Sequence, residues 1–238
     1  MDIKEITFCE LDIPYDRELF CKEVDEHILP GSMEIEAIDK AGIAQFAHIN
    51  RAWNMVPESE YMKDNSQKAW LVNSLIYCRS ENKYLDMLSQ AGSIVTRNRI
   101  LDKGEWSWKP KYENLELTKF IKNLPLTDII HARTLCLLPG KMAAIHRDDR
   151  TDSLSKTLLS DLGYISVTMN LSDGGQPLFY SLDSDEETPI LANEPIYTFN
   201  DFNFHGVPYV NEMRRQVRVT GKPTPEFFGL LKQVTLKT

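Results

Sequence analysis

The sequence predicts a mainly β fold with flanking helices, and three observations carry that expectation. Short β-type runs recur between residues 126 and 221, separated by turn signals, which is the pattern of a sandwich or small barrel. Stretches with helical spacing of apolar residues are few and lie outside that region. The chain has 238 residues, of which 42% are hydrophobic and 26% charged, the make-up of a globular domain long enough to build a core without staples. No composition break defines a second unit, so the reading is a single domain, 1–238.

Taken in order, Glu5–Asp12 reads as a strand and Tyr15–Leu29 as a helix closed by Pro30-Gly31. Ala37–His48 fits a helix or a loop, and Ala69–Cys78 is rich in Leu, Val, Ile and Tyr. Lys83–Gln90 reads as a short helix, Gly104–Lys111 as a loop anchored by Trp106 and Trp108, and Leu115–Leu124 as an amphipathic helix. Residues 1–125 are therefore a mixed part packing on the β region. In 126–223 the strands fall near Ile129–Leu137, Met142–His146, Tyr164–Leu171, Leu178–Leu182, Pro195–Phe199 and Arg214–Thr220. Thr224–Leu236 reads as a C-terminal helix within 224–238, with Thr224 as cap and Pro225 in its first turn.

Composition excludes several roles. With 27 Lys+Arg against 35 Asp+Glu the net charge is −8, which disfavours nucleic-acid backbones as partners. No apolar run approaches the ~20 residues that cross a bilayer. Met1–Glu5 shows no basic start leading into an apolar stretch. Cys9, Cys21, Cys78 and Cys136 are widely spaced, which fits reduced thiols in a cytoplasmic protein.

The chemistry-bearing residues cluster late in the chain. His146 and Asp148 follow a strand, and residues two apart on extended backbone project to one side. They supply two corners of a metal site, and His205, in Asn203-Phe204-His205-Gly206-Val207, offers a third. Two histidines and a carboxylate leave three positions open, which suits non-haem Fe(II) and oxygen chemistry. His-x-Asp alone also occurs in ordinary surface turns. The strand Met213–Thr220 has an apolar odd side (Met213, Arg215, Val217, Val219) and a polar even side (Arg214, Gln216, Arg218, Thr220). The apolar side should face into a barrel, which makes Arg215 a buried cation suited to a dicarboxylate. An edge strand with solvated arginines, or an internal salt bridge, fits the same residues. On the strand Tyr164–Leu171 the polar side could reach a cosubstrate. His27, His48 and His131 read as structural, the tryptophans, Trp53 among them, as packing, and Asp183–Glu187 as a solvated loop.

Ile130-His131-Ala132-Arg133-Thr134-Leu135-Cys136-Leu137-Leu138-Pro139-Gly140 leads into Lys141-Met142-Ala143-Ala144-Ile145-His146-Arg147-Asp148. This stretch resembles the aspartyl/asparaginyl β-hydroxylase-like family of Fe(II)/2-oxoglutarate oxygenases, closest to its prolyl cis-hydroxylase-like branch. The resemblance continues to His205 and to an arginine about ten residues later, and covers roughly 124–223. It implies a double-stranded β-helix, a cupin-like jelly roll, over 126–223. It implies His146, Asp148 and His205 as iron ligands, and Arg215 holding 2-oxoglutarate, with Arg214 and Arg218 as rivals. Arg133 matches an arginine that faces substrate or cosubstrate. The implied reaction consumes O2 and 2-oxoglutarate, releases succinate and CO2, and hydroxylates a C–H bond of a small molecule, an amino acid or a peptide side chain. Two other classes stay open: a non-catalytic jelly-roll binding protein, and a cupin-type metalloenzyme that does not use 2-oxoglutarate.

Overall fold

The structure is a computed structural model that describes residues 6, 8–36, 68–79, 105–146, 163–172, 178–181, 190–192, 195–199 and 204–233. Asp148, Ala37–His48, Trp53, Lys83–Gln90 and Asp183–Glu187 lie outside the described residues.

The chain opens with β1 (Phe8–Leu11) and then α1 (Arg17–Glu23). The Asp16 carboxylate accepts from the Leu19 N–H at 3.0 Å and caps the helix. A π-helical turn, Val24–Ile28, buries Val24 and Ile28, and Pro30 sits in the closing 3-10 turn Leu29–Gly31. Next come β2 (Met33–Glu36), β3 (Lys68–Ser74), β4 (Ile76–Arg79), β5 (Glu105–Trp108) and α2 (Glu116–Lys122). The α2 N-terminus has no cap from Leu115. Glu23 supplies one from α1, its two oxygens accepting from the Glu116 and Leu117 N–H groups at 2.8 Å each.

The β region holds β6 (Leu126–Leu137), β7 (Lys141–His146), β8 (Ile165–Asn170), β9 (Leu178–Ser181), β10 (Ile190–Ala192), β11 (Ile196–Phe199), β12 (Phe204–Val210) and β13 (Arg214–Pro223). The chain then forms α3 (Pro225–Gly229) and β14 (Leu231–Gln233). Strand β6 pairs with β13, β7 with β12, β8 with β11 and β9 with β10, all antiparallel. These eight strands are one long hairpin wound on itself, which is a double-stranded β-helix. The winding leaves an eight-stranded sheet, β14-β1-β11-β8-β13-β6-β3-β2, facing a four-stranded sheet, β10-β9-β12-β7. Gly140, at φ +70, makes the tight reversal from β6 to β7 that an L side chain resists.

The large sheet is covered on both sides. Its outer face sends Val167, Met169, Val217, Val219, Ala132 and Cys136 into a cluster with Phe20, Val24 and Ile28, and with Leu117 and Ile121 of α2. Its inner face joins Phe8, Leu137, Tyr197 and Phe199 to Ala143, Val207 and Val210 of the small sheet. The apolar side of Met213–Thr220 therefore points outward to the helices and the polar side points between the sheets, the reverse of the sequence expectation. The reason is that the helical layer needs hydrocarbon and the inner space carries the polar chemistry. Sequence periodicity separates the two sides of a strand but does not say which is inside.

Two further differences concern short elements. Gly104–Lys111, expected as a loop, includes β5, which pairs with β4 and packs Trp106 and Trp108 against the outer cluster. The helix expected over Thr224–Leu236 ends at Gly229. The chain then pairs as β14 with β1 and becomes a three-residue edge strand of the large sheet. Among the described residues no helix is long and apolar enough to cross a membrane.

Candidate functional site

The winding of the hairpin makes β7 and β12 neighbours, and their register sets His205 directly across from His146. Opposed positions in an antiparallel pair share a face. The ladder shifts between His205 and Val207, so regular pairing breaks beside the two histidines. His205 is buried and its ring meets Phe199 edge-on, with centroids 5.0 Å apart. Phe199 belongs to the facing sheet, so this contact fixes the histidine against the inner wall.

On that wall the even positions of β13 line up with partners in β6 and β8. Arg218 lies across from Arg133 on one side and Thr168 on the other, and Tyr197 of β11 lies across from Thr168. Arg133 and Arg218 are both buried. The Arg218 guanidinium lies over the Phe199 ring, 5.4 Å from its centroid. Phe199 thus contacts both His205 and Arg218. Thr220 and Ser166 share a hydrogen bond of 2.8 Å between their hydroxyls on the same face.

Arg214 sits four residues along β13 from Arg218, ~13 Å of strand, near the β6–β7 reversal. It is 1% exposed. Its Nη2 donates to the Tyr197 hydroxyl at 3.4 Å, and Gln216 Nε2 donates to the same oxygen at 2.9 Å. Burial lowers the Arg214 pKa from its ordinary value, and the neighbouring Tyr197 opposes that shift. Three individual nitrogens on this wall, Arg133 Nε, Arg218 Nε and Arg214 Nη1, are buried without an acceptor, although each residue makes other contacts.

Arg215 lies on the other side of the sheet. Its guanidinium grips Asp25 in the π-helical turn with both prongs, Nε to Oδ1 at 2.7 Å and Nη2 to Oδ2 at 3.1 Å. Burial would lower its pKa, but the Asp25 carboxylate raises it. Its cross-strand partner is Cys136, whose thiol burial pushes up to about 12. The structure thus sets His205, and the His146 position across from it, on the small sheet facing the inner wall that carries Arg133, Arg214 and Arg218, and sends Arg215 to the other side of the large sheet. Among the described residues no three His, Cys, Asp or Glu side chains form a metal cluster, and Asp148 is not among them. The donor types still suit a ferrous ion: two opposed histidine positions, with an aspartate two residues beyond one of them.

Residue type and spacing alone give no role to Tyr197, Phe199 or Gln216. The alternation Ile196-Tyr197-Thr198-Phe199 holds the signal, since two aromatics two apart fall on one face. His131, expected to be structural, is buried across from Thr220 on the inner face.

No family model matches the chain, and no curated protein matches it. Several solved structures do match. An oxidoreductase of the 2OG-Fe(II) oxygenase family from Burkholderia pseudomallei is 13% identical, covering 89% of this chain and 94% of its own, with a TM-score of 0.33. A prolyl-4-hydroxylase from Pseudomonas putida is 13% identical over 87% and 99%, with a TM-score of 0.33. A prolyl hydroxylase from Trichoplax adhaerens, in complex with a hypoxia-inducible-factor peptide fragment, is 12% identical over 91% and 93%, with a TM-score of 0.34.

Proposed function

We propose that this chain is an Fe(II)- and 2-oxoglutarate-dependent oxygenase. It hydroxylates a C–H bond of a small molecule, an amino acid or a peptide side chain, and releases succinate and CO2. The observation that carries the reading is the pairing of His146 with His205 across β7 and β12, beside a wall that carries Arg133, Arg218 and Arg214.

His146, His205 and Asp148 would hold the ferrous ion, with Asp148 the one anionic side chain among them. Bound there, iron, O2 and 2-oxoglutarate together supply the oxidising power that the side chains of this chain lack. Phe199 keeps His205 in place and screens it from water. Arg218, on the same ring, neutralises carboxylate charge close to the metal. Arg214, deeper along β13, takes the distal carboxylate of the ketoacid in a two-pronged pair. This moves the cosubstrate arginine from Arg215, which the Asp25 pair occupies, to its neighbour. Arg133 stands across from Arg218 and faces the substrate or the ketoacid.

The test is aerobic 2-oxoglutarate consumption with Fe(II), screened over free amino acids and short peptides, with products checked for one added oxygen. The wild type forms succinate, at least in uncoupled turnover, and Asp148→Ala does not. Equal, background-level succinate from both proteins would contradict the reading.

A further inference from the structure

We infer that Lys111 and Tyr112, set beside Gly31 on the outer side of the large sheet, form a separate site for a carboxylate; it does not depend on the oxygenase reading above. Gly31 ends the 3-10 turn Leu29–Gly31. A Cβ built on it would meet Lys111 Nζ at 3.1 Å, Asn73 Nδ2 at 3.4 Å and Tyr112 Oη at 3.4 Å. Three polar groups from two other parts of the chain therefore converge where this residue has no side chain. The Ile28 carbonyl can only accept, so the Asn73 atom 2.9 Å from it is the donor Nδ2. That nitrogen also lies 2.7 Å from the Tyr112 hydroxyl, whose oxygen accepts there while its own proton points elsewhere. Both Asn73 hydrogens are then used, which makes Asn73 a positioning residue. Tyr112 is 1% exposed, and among the described residues no acceptor takes its proton. A buried O–H left unmade is costly, and a ligand oxygen would complete it.

Lys111 makes the ligand an anion. Its ammonium lies over the Tyr112 ring, 4.5 Å from the centroid, and forms no ion pair with any described residue. The neighbouring lysines on α2 are answered within the chain, Lys119 by Glu116 at 2.6 Å and Lys122 by Glu113 at 3.2 Å. Burial and, after it, the Lys111 charge lower the Lys109 pKa to about 8, so the surroundings of the site are electropositive. One ammonium and one neutral O–H side by side match a carboxylate, with one oxygen for each donor. Gly31 and Lys111 are exposed, so a ligand can reach them from solvent.

The experiment is an NMR titration of the full-length protein with sodium acetate. Sodium chloride at equal ionic strength and acetamide, which has the shape without the charge, are the controls. Acetate shifts the Gly31, Ser32 and Tyr112 amide resonances saturably, and the controls do not. Tyr112→Phe, which removes only the hydroxyl, and Lys111→Gln each weaken acetate by about 10-fold. Gly31→Ala, which sets a methyl group against both donors, weakens it as well. Lys111→Gln changes an exposed side chain and serves as the test if Tyr112→Phe does not fold. Equal shifts with chloride or acetamide would overturn the site, as would an acetate affinity unchanged in Lys111→Gln and Gly31→Ala. Neither failure bears on the pairing of His146 with His205.

Discussion

Strand β13 carries opposite chemistry on its two sides. Outward, Val217 and Val219 are fully buried among helix side chains, and the one cation, Arg215, is answered within the chain by Asp25. Inward, Arg214, Gln216, Arg218 and Thr220 are buried against aromatic rings, hydroxyls and a histidine-bearing strand. An ion pair closed by the chain itself is a fastening between a helix and a sheet. Guanidiniums gathered on a shared inner wall are suited to anions that come from outside. Burial alone therefore does not separate a fastening arginine from a candidate anion-binding one, whereas the face it occupies does.

Four experiments test that division. The largest effect belongs to Arg214→Gln, which removes the deep inner cation. It should weaken 2-oxoglutarate binding by about 2–5 kcal/mol, read by calorimetry. The melting temperature should move little, because a buried charge leaves with the side chain. On the outer side, Val219→Ala should reverse the pattern. It should lower unfolding free energy by about 2 kcal/mol in a denaturant titration and leave 2-oxoglutarate affinity unchanged.

Arg215→Gln separates the two sides most sharply, since it lies one residue from Arg214. Loss of the partly exposed pair with Asp25 should reduce stability by about 1 kcal/mol or less. Ketoacid affinity should stay at the wild-type value, and a large fall would place Arg215 back in the site. The smallest effect concerns Cys136 on the outer face. Burial raises its folded-state pKa from 9.0 to about 12, so the neutral thiol is favoured by folding. Its contribution to stability is full below pH 9 and is lost as pH rises toward 12. Cys136→Ala should flatten that part of the stability profile, and native Cys136 should resist alkylation at pH 8.

Much of the β region is legible in the sequence because its strands are short, β-rich and punctuated by turns. The helices at Arg17–Glu23 and Glu116–Lys122 are marked by spacing and by Asp16 or the following Pro125. The pair His146 and His205 can be nominated from residue type, but only the winding of the hairpin makes them cross-strand neighbours. Arg215 shows the limit. An apolar alternate set normally means inside, yet here helices cover the outer face and the inner space is polar. Tyr197 and Gln216 were hidden because their partnership joins strands β11 and β13, which the sequence separates by β12.

The most direct measurement is the visible charge-transfer band of the anaerobic protein loaded with Fe(II) and 2-oxoglutarate. The band should appear in the wild type and in Arg215→Gln, and should vanish in His205→Ala. No band in the wild type, or the same band after His205→Ala, would contradict a ferrous centre held between β7 and β12.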